Sequence, residues 1–303
     1  MAVNLSQIKS MLLPGLYKVT GQYDEIPTEY SKLFKTQKST MTVESSVQVR
    51  LLGIAALQQE GASATYDNNA GQRYIYNART QQIGLGFAMT QMALEDNLYK
   101  KDFLPAVKSL GSSFREFKEY QAAAVFNDPT TVISGISGDG QALASTAHPV
   151  DNGTFANTFS VQQQLSETSL IQARTNVRVN FVDEAGLKRK FKTKKLVVHP
   201  HNEPTALRLL MTELRPGTAN NDVNVIQKMD GQSLELVVWD YLSSNYYWYL
   251  TTNVEGLIYF TRIPYSTKMQ EDFTTDNLLT QARERCCFTY NDPRSLWVST
   301  PSS

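Results

Sequence analysis

Between Asp102 and Phe126 the larger apolar side chains recur in steps of four and three. Phe103, Val107, Leu110, Phe114 and Phe117 lead the series, and Gln121 and Ala124 continue it. That spacing turns one face of an α-helix inward. Asp102 is suited to cap the helix, Pro105 falls in its first turn, where a missing N–H costs little, and Asn127-Asp128-Pro129 stops it. At 1.5 Å per residue such a helix spans about 35 Å. A single stripe of that length needs the rest of the chain laid along it, so the helix reads as a spine.

Before the spine the pattern is weaker. Residues 1–42 scatter Leu5, Ile8, Leu12, Tyr23, Tyr30 and Phe34 among Ser, Thr and Lys, too aperiodic for a core, and read as an extended arm that must lie on something else. Residues 43–60 place Val47, Leu51 and Ile54 or Ala55 at helical spacing and predict a short helix. In residues 61–87, Asp67-Asn68-Asn69-Ala70-Gly71 is a turn signal flanked by Tyr66 and by Tyr74-Ile75-Tyr76. A long β-hairpin with a polar tip follows, too polar to bury both faces. Thr90 to Lys101, with Met92, Leu94 and Leu98, predicts a small helix leading into the spine.

After the spine, residues 134–140 form a Gly-rich loop that opens no helix and so makes no phosphate cradle. The chain then alternates helices and strands. Ser166 starts a helix with Leu170, Ala173 and Val177 on one face, and residues 183–186 make a turn. Leu196-Val197-Val198 is a buried strand, and Asn202 caps a helix that turns Leu207, Leu210, Met211 and Leu214 inward before Pro216-Gly217 ends it. Strands follow at 234–239, 246–251 and 257–263. A tail strand alternates Ala282, Cys286, Phe288 and Tyr290 with Arg283, Arg285, Cys287 and Thr289. The whole is an α+β chain.

Composition adds mostly exclusions. Among 303 residues, 29 Lys plus Arg balance 29 Asp plus Glu, so global charge points to neither nucleic acid nor membrane. No apolar run approaches the roughly 20 residues of a membrane span, and Met11-Leu12-Leu13 is too short for a signal peptide. The adjacent Cys286 and Cys287 make no disulfide framework. His199 and His201 have the alternate spacing of two metal ligands, but Glu203 is the only close carboxylate and no cysteine completes a site, so a strand-to-helix loop is the better reading. His148 stands alone. Cys286 shares the parity of Phe288 and Tyr290 and reads as a small core residue, and no nucleophile elbow, Walker loop or dinucleotide fingerprint is present. No metal, cofactor or enzymatic activity is expected. The run Lys188, Arg189, Lys190, Lys192, Lys194 and Lys195 puts six cations in eight positions. It is suited to phosphates, to acidic side chains of a neighbouring subunit, or simply to solvent.

Arm, projecting hairpin, spine, α/β segment and returning tail strand form an ordered set that resembles the tailed-phage major capsid proteins of the Hong Kong 97-type fold. Within them it is most similar to the Mu-type major head subunit group. The residues that carry the likeness are GFAMTQMALEDNLYKKDFLPAVKSLGSS at 86–113, DGQALASTAHP at 139–149, KLVVHPHNEPTALRLL at 195–210, YYWYL at 246–250 and RERCCFTYNDPRSLW at 283–297. The resemblance implies a non-enzymatic shell subunit that assembles with itself as hexamers and pentamers, in an icosahedral virion capsid enclosing double-stranded DNA. Residues 88–134 and 271–303 would form a peripheral domain and 135–270 an axial domain. The loop at 61–87 would lie over an adjacent subunit, with Tyr66, Asp67, Asn68, Arg73, Tyr74, Tyr76 and Arg79 in contact. The arm at 1–42 would reach a neighbour too. A separate scaffold, a portal and cement proteins are the further partners implied, with assembly in the host cytoplasm and no membrane. An encapsulin-like nanocompartment and a tail or connector component are the alternative readings.

Overall fold

A computed structural model describes residues 27–61, 63, 66–90, 92, 99–133, 137–151, 153–212, 223–231, 233–272 and 274–302. The arm through residue 26 and most of the helix expected before the spine lie outside them. The spine is helix α1, Tyr99–Asn127. Asp102 and Pro105 therefore lie inside the helix, not at its cap and first turn. The expected stripe holds as far as Phe114 and then drifts. Val107, Leu110 and Phe114 are buried, whereas Phe117 is 42% exposed and Gln121 and Ala124 face outward. A strict 4-3 alternation advances by 3.5 residues per turn against the helix's 3.6, so the buried line slips toward later positions. Lys118, Glu119, Ala122, Ala123 and Phe126 occupy it instead.

Two four-stranded sheets flank this helix. The first runs β1 (Lys35–Lys38), β10 (Leu257–Glu271), β11 (Leu278–Tyr290), β4 (Gln81–Met89) in that order. β10 and β11 form a long antiparallel hairpin, and its register slips around Pro264, which has no N–H for the ladder. β11 keeps the expected alternation as far as the buried Cys286; beyond it Thr289, expected outward, is buried and Phe288 is half-buried. The second sheet runs β12 (Leu296–Ser299), β9 (Trp248–Thr252), β7 (Thr193–Val198), β8 (Glu235–Val238). β7 and β8 are parallel and are joined through helix α3, Glu203–Met211. Helix α2, Glu167–Asn180, packs Leu170, Ala173 and Val177 as expected, and the Ser166 side chain caps it in a reciprocal pair with Ser169. A short ribbon pairs β5 (His148–Val150) with β6 (Gly153–Phe155).

Four further expectations change. Residues 43–50 are not helical: they form strand β2, Val43–Arg50, paired antiparallel with β3, Gly71–Arg79. The projecting hairpin thus has its arms at 43–50 and 71–79, and residues 51–70 connect them. Alternating Val, polar, Val satisfied a helical count only by coincidence with period two. Second, α3 buries Leu210 as expected but with Ala206 and Leu209 beside it, and leaves Leu207 and Met211 outward, while Leu214 lies outside the described residues. Third, the described part of the arm lies on its own chain: Tyr30 and Phe34 are buried against Tyr259, Phe288 and Phe126. Fourth, the split at residue 270 divides no unit. β10 and β11 on its two sides share one sheet, while β12 near the C-terminus joins the other.

A core under α1 gathers Ala122, Ala123, Phe126, Trp239, Tyr249, Tyr259 and Tyr290. A second core gathers Leu170, Phe181, Leu196, Trp248, Leu250 and Trp297 under the second sheet. Two buried charges on α1 tie the parts together. Lys118 Nζ lies 3.1 Å from Glu284 Oε1 on β11, which also accepts from the Tyr259 hydroxyl at 3.0 Å. Glu119 accepts from the backbone N–H groups of Glu29 at 2.7 Å and Tyr30 at 3.4 Å, and from Trp239 Nε1–H at 2.9 Å. Burial pushes the Glu119 carboxyl above its ordinary value against the pull of these donors.

Candidate assembly surface

The β2–β3 hairpin has an inverted pattern. Val43, Val47 and Val49 are 43%, 40% and 51% exposed, and the polar Glu44, Ser46 and Gln48 between them are half-buried. Val47 sits directly opposite Ile75, itself largely exposed, so an apolar cross-strand pair faces away from the chain's own core. The connecting stretch continues this surface: Leu51, Leu52, Ile54, Leu57 and Tyr66 are all exposed, Leu57 completely. Single exposed apolar residues are ordinary; a contiguous series on one projecting element marks an interaction surface.

The loop end of the hairpin, where Arg50 pairs with Gly71, is fixed to the body by charge. Arg50, at the end of β2, bonds Asp67 at 2.9 Å and also Asp151 in the β5–β6 turn. Arg73 on β3 bonds the other oxygen of Asp151 and faces Glu184 at 3.0 Å. Glu184 is in turn paired at 2.7 Å with Arg294, which donates to the Val182 carbonyl and lies 4.4 Å over the Phe155 ring. Burial raises the Glu184 carboxyl, and Arg294 and Arg73 oppose that shift. Asp67 accepts from the Gly53 N–H as well as from Arg50 and Asn69, which hold its carboxyl down to about 2. One carboxylate, Asp151, therefore bridges both strands of the hairpin to the body.

Of the residues expected to touch a neighbour, Tyr66, Asn68 and Arg79 are exposed, and Arg73 and Tyr74 are half-buried near the start of β3. Asp67 serves the internal turn. Tyr76 does not face outward: it is 2% exposed and packs edge-on against Tyr290, with Gly138 against it. In the basic run, Arg189 pairs with Asp183 and Lys195 with Glu235, and Lys188, Lys190 and Lys194 are exposed. His199 accepts the His201 backbone N–H at the strand-to-helix corner. His148 is buried between Asp139 and Asn157. Burial pushes the thiols of Cys286 and Cys287 up to about 12 and about 11, so both stay protonated at neutral pH. Sequence reasoning missed Asp151, Glu184, Arg294, Lys118 and Glu119, isolated charges with no spacing to betray them. It also missed the outward Val47, Val49, Ile54 and Leu57. Their excess of apolar side chains over what a solvated hairpin needs was the available signal.

Residues 75–299 match the phage capsid protein family. The chain therefore belongs to the phage capsid proteins, a mixed α+β group in which it serves as a major capsid protein of the virion shell. No curated protein matches it by sequence. Among solved structures it is similar to the procapsid of bacteriophage JBD30, at 14% identity and a TM-score of 0.53 over 99% of this chain and 77% of that one. The capsid of an empty GTA particle matches at 10% identity and a TM-score of 0.57 over 90% of each chain. The SrpI encapsulin complex from Synechococcus elongatus PCC 7942 matches at 13% identity and 0.51, over 90% of this chain and 86% of that one.

Proposed function

We propose that the chain is a Hong Kong 97-type shell subunit of the Mu-type head group, assembling as hexamers and pentamers around double-stranded DNA and carrying no catalytic site. The hairpin is its extended loop, with arms at 43–50 and 71–79. The α1 spine with the first sheet is the peripheral domain, and the second sheet with α2 and α3 is the axial domain. The observation that carries the reading is the outward apolar surface of the hairpin and its connecting loop, Val47, Val49, Ile54, Leu57 and Ile75, left exposed by the described residues of its own chain. Individually weak contacts of this kind add when each subunit engages several neighbours in a closed shell. A separate scaffold and a portal are the partners such a shell recruits in the host cytoplasm.

Electron microscopy and light scattering of the purified chain, alone and with Leu57→Asp, test the proposal. Wild type is expected to give closed shells or rings of five and six. Leu57→Asp is expected to keep the subunit's circular dichroism and lose at least tenfold in assembled fraction, because a charge replaces a fully exposed apolar side chain on the contact face. Unimpaired assembly of the variant would remove the hairpin from the interface. The encapsulin likeness supports a second reading, a protein-filled compartment, and the absorbance ratio of purified shells distinguishes enclosed nucleic acid from enclosed protein.

A further inference from the structure

The basic run acquires a defined shape in the structure. Lys188, Lys190, Lys192 and Lys194 alternate with Phe191 and Thr193, which are 7% and 1% exposed and face the core. Strand β7 begins at Thr193, so Lys194 stands on the strand, while Lys188 and Lys190 are exposed on the irregular segment that leads into it. At β7 the alternation breaks. Thr193 pairs with Thr252, but the next pair is Lys195 with Thr251, which leaves Lys194 as an extra residue with no counterpart on β9. A bulge of this kind redirects the side chains around it. Here Lys194 and Lys195, adjacent in sequence, both line the same groove of about 310 Å³. The opposite wall of that groove carries Lys32 and Lys35, from the segment that opens β1. Asn253, between the groove-lining Thr252 and Val254, accepts from the Lys192 N–H at 3.0 Å, donates its own backbone N–H to the Lys192 carbonyl at 2.9 Å and its side-chain amide to the Lys190 carbonyl at 3.5 Å.

Four lysines from two segments more than 150 residues apart, Lys32 and Lys35 with Lys194 and Lys195, thus line one groove, and Lys188, Lys190 and Lys192 lead into it along the chain. Among the described residues, the groove-lining lysines are paired as Lys32 with Glu29, Lys35 with Glu255 and Lys195 with Glu235. Lys32 and Lys35 are about half exposed in those pairs, so a competing anion exchanges with the carboxylates readily. Lys188 and Lys190 make no ion pair with a described residue. On a chain of zero net charge this is a local surplus of cations. No aromatic ring lines the groove except Phe34, which is buried, so the surface offers phosphate contacts and no base stacking.

We propose that this lysine band, shaped by the bulge at Lys194, is the docking surface for the phosphate backbone of duplex DNA, bound without regard to sequence. The inference rests on the capsid reading above. Its test is fluorescence anisotropy of a labelled 30-base-pair duplex with the full chain between 50 and 200 mM salt, with light scattering on the same samples. Each phosphate contact contributes close to one unit to the slope of log K against log salt. Lys190→Ala/Lys194→Ala is therefore expected to flatten that slope by about two units and to weaken binding at 50 mM salt about tenfold or more. Lys190→Arg/Lys194→Arg is expected to restore both. An unchanged slope in the alanine variant overturns the proposal. So does displacement of the duplex by poly-glutamate as effectively as by unlabelled duplex, which would make the band a site for acidic polypeptide. Shells that form with an unchanged slope refute the band alone. A flattened slope from subunits that never form shells sustains the band and counts against the capsid reading.

Discussion

Replacing Lys118 with methionine keeps the length and apolar stem of the side chain and removes one charge from the middle of the spine. The charge is buried: the side chains of Lys118 and Glu284 are 4% and 3% exposed, with Nζ and Oε1 3.1 Å apart. At an effective dielectric near 20 their attraction is about 5 kcal/mol, most of it offset by the desolvation of both ions. The single substitution does not return that balance to zero, because Glu284 stays buried after losing the Lys118 cation, and the Tyr259 hydroxyl it accepts from is a neutral donor. Lys118→Met is therefore expected to destabilise the subunit by about 3–5 kcal/mol. Adding Glu284→Gln removes the stranded charge and keeps an oxygen for Tyr259, so the double variant should recover at least half of the loss. The assay is urea denaturation of unassembled subunits, followed by tryptophan fluorescence and read as a double-mutant cycle. A single-variant loss below about 1 kcal/mol, or a double variant no better than the single, would refute the idea that an internal ion pair fastens the spine to β11.

Two other outcomes can be checked on the same subunits. Glu119 holds its proton more tightly folded than unfolded, so the folded state gains from acid and loses stability as pH rises above the ordinary carboxylate value of 4.5. Wild type should lose more than Glu119→Gln in denaturation midpoint between pH 4.5 and 7, and parallel curves would contradict the assignment. A Cβ on Gly138 would come within 2.7 Å of the Ile75 carbonyl oxygen and 2.9 Å of its carbon, both backbone atoms that cannot swing aside. Gly138→Ala is expected to cost about 1–3 kcal/mol by thermal denaturation, with loss of the close seat of this loop on β3.

Where an element packs on its own core, the sequence announced it. The α2 stripe, the capping Ser166, the Leu196–Val198 strand and the parity of β11 as far as Cys286 were all legible because a buried face must repeat with the period of its backbone. The spine was legible to Phe114 and misread beyond it, because the inward positions there are Lys118 and Glu119. These are charges whose burial depends on partners 166 and 120 residues away. Residues 43–50 were misread for a different reason. Their valines face out and their polar residues half in, so pattern reading had no core to orient it. The basic run was visible as charge, but nothing local distinguishes a regular row of lysines from one bulged at Lys194 into a groove with Lys32 and Lys35.

β3 and β4 are almost one strand, interrupted only at Thr80, whose N–H and hydroxyl both reach the Thr42 carbonyl. On one side of Thr80 the strand belongs to the projecting hairpin; on the other it is laid along β11 from Cys286 to Leu278. Under the assembly proposed above, a pull on the hairpin would load this covalent backbone and draw β4 along its own length, beside the Arg50 and Arg73 pairs to Asp151 and Glu184. Its nine paired positions must slip together, whereas a strand peeled from its end gives way one pair at a time. Under that reading β4 is a tensile tie, loaded in shear across its nine positions paired with β11.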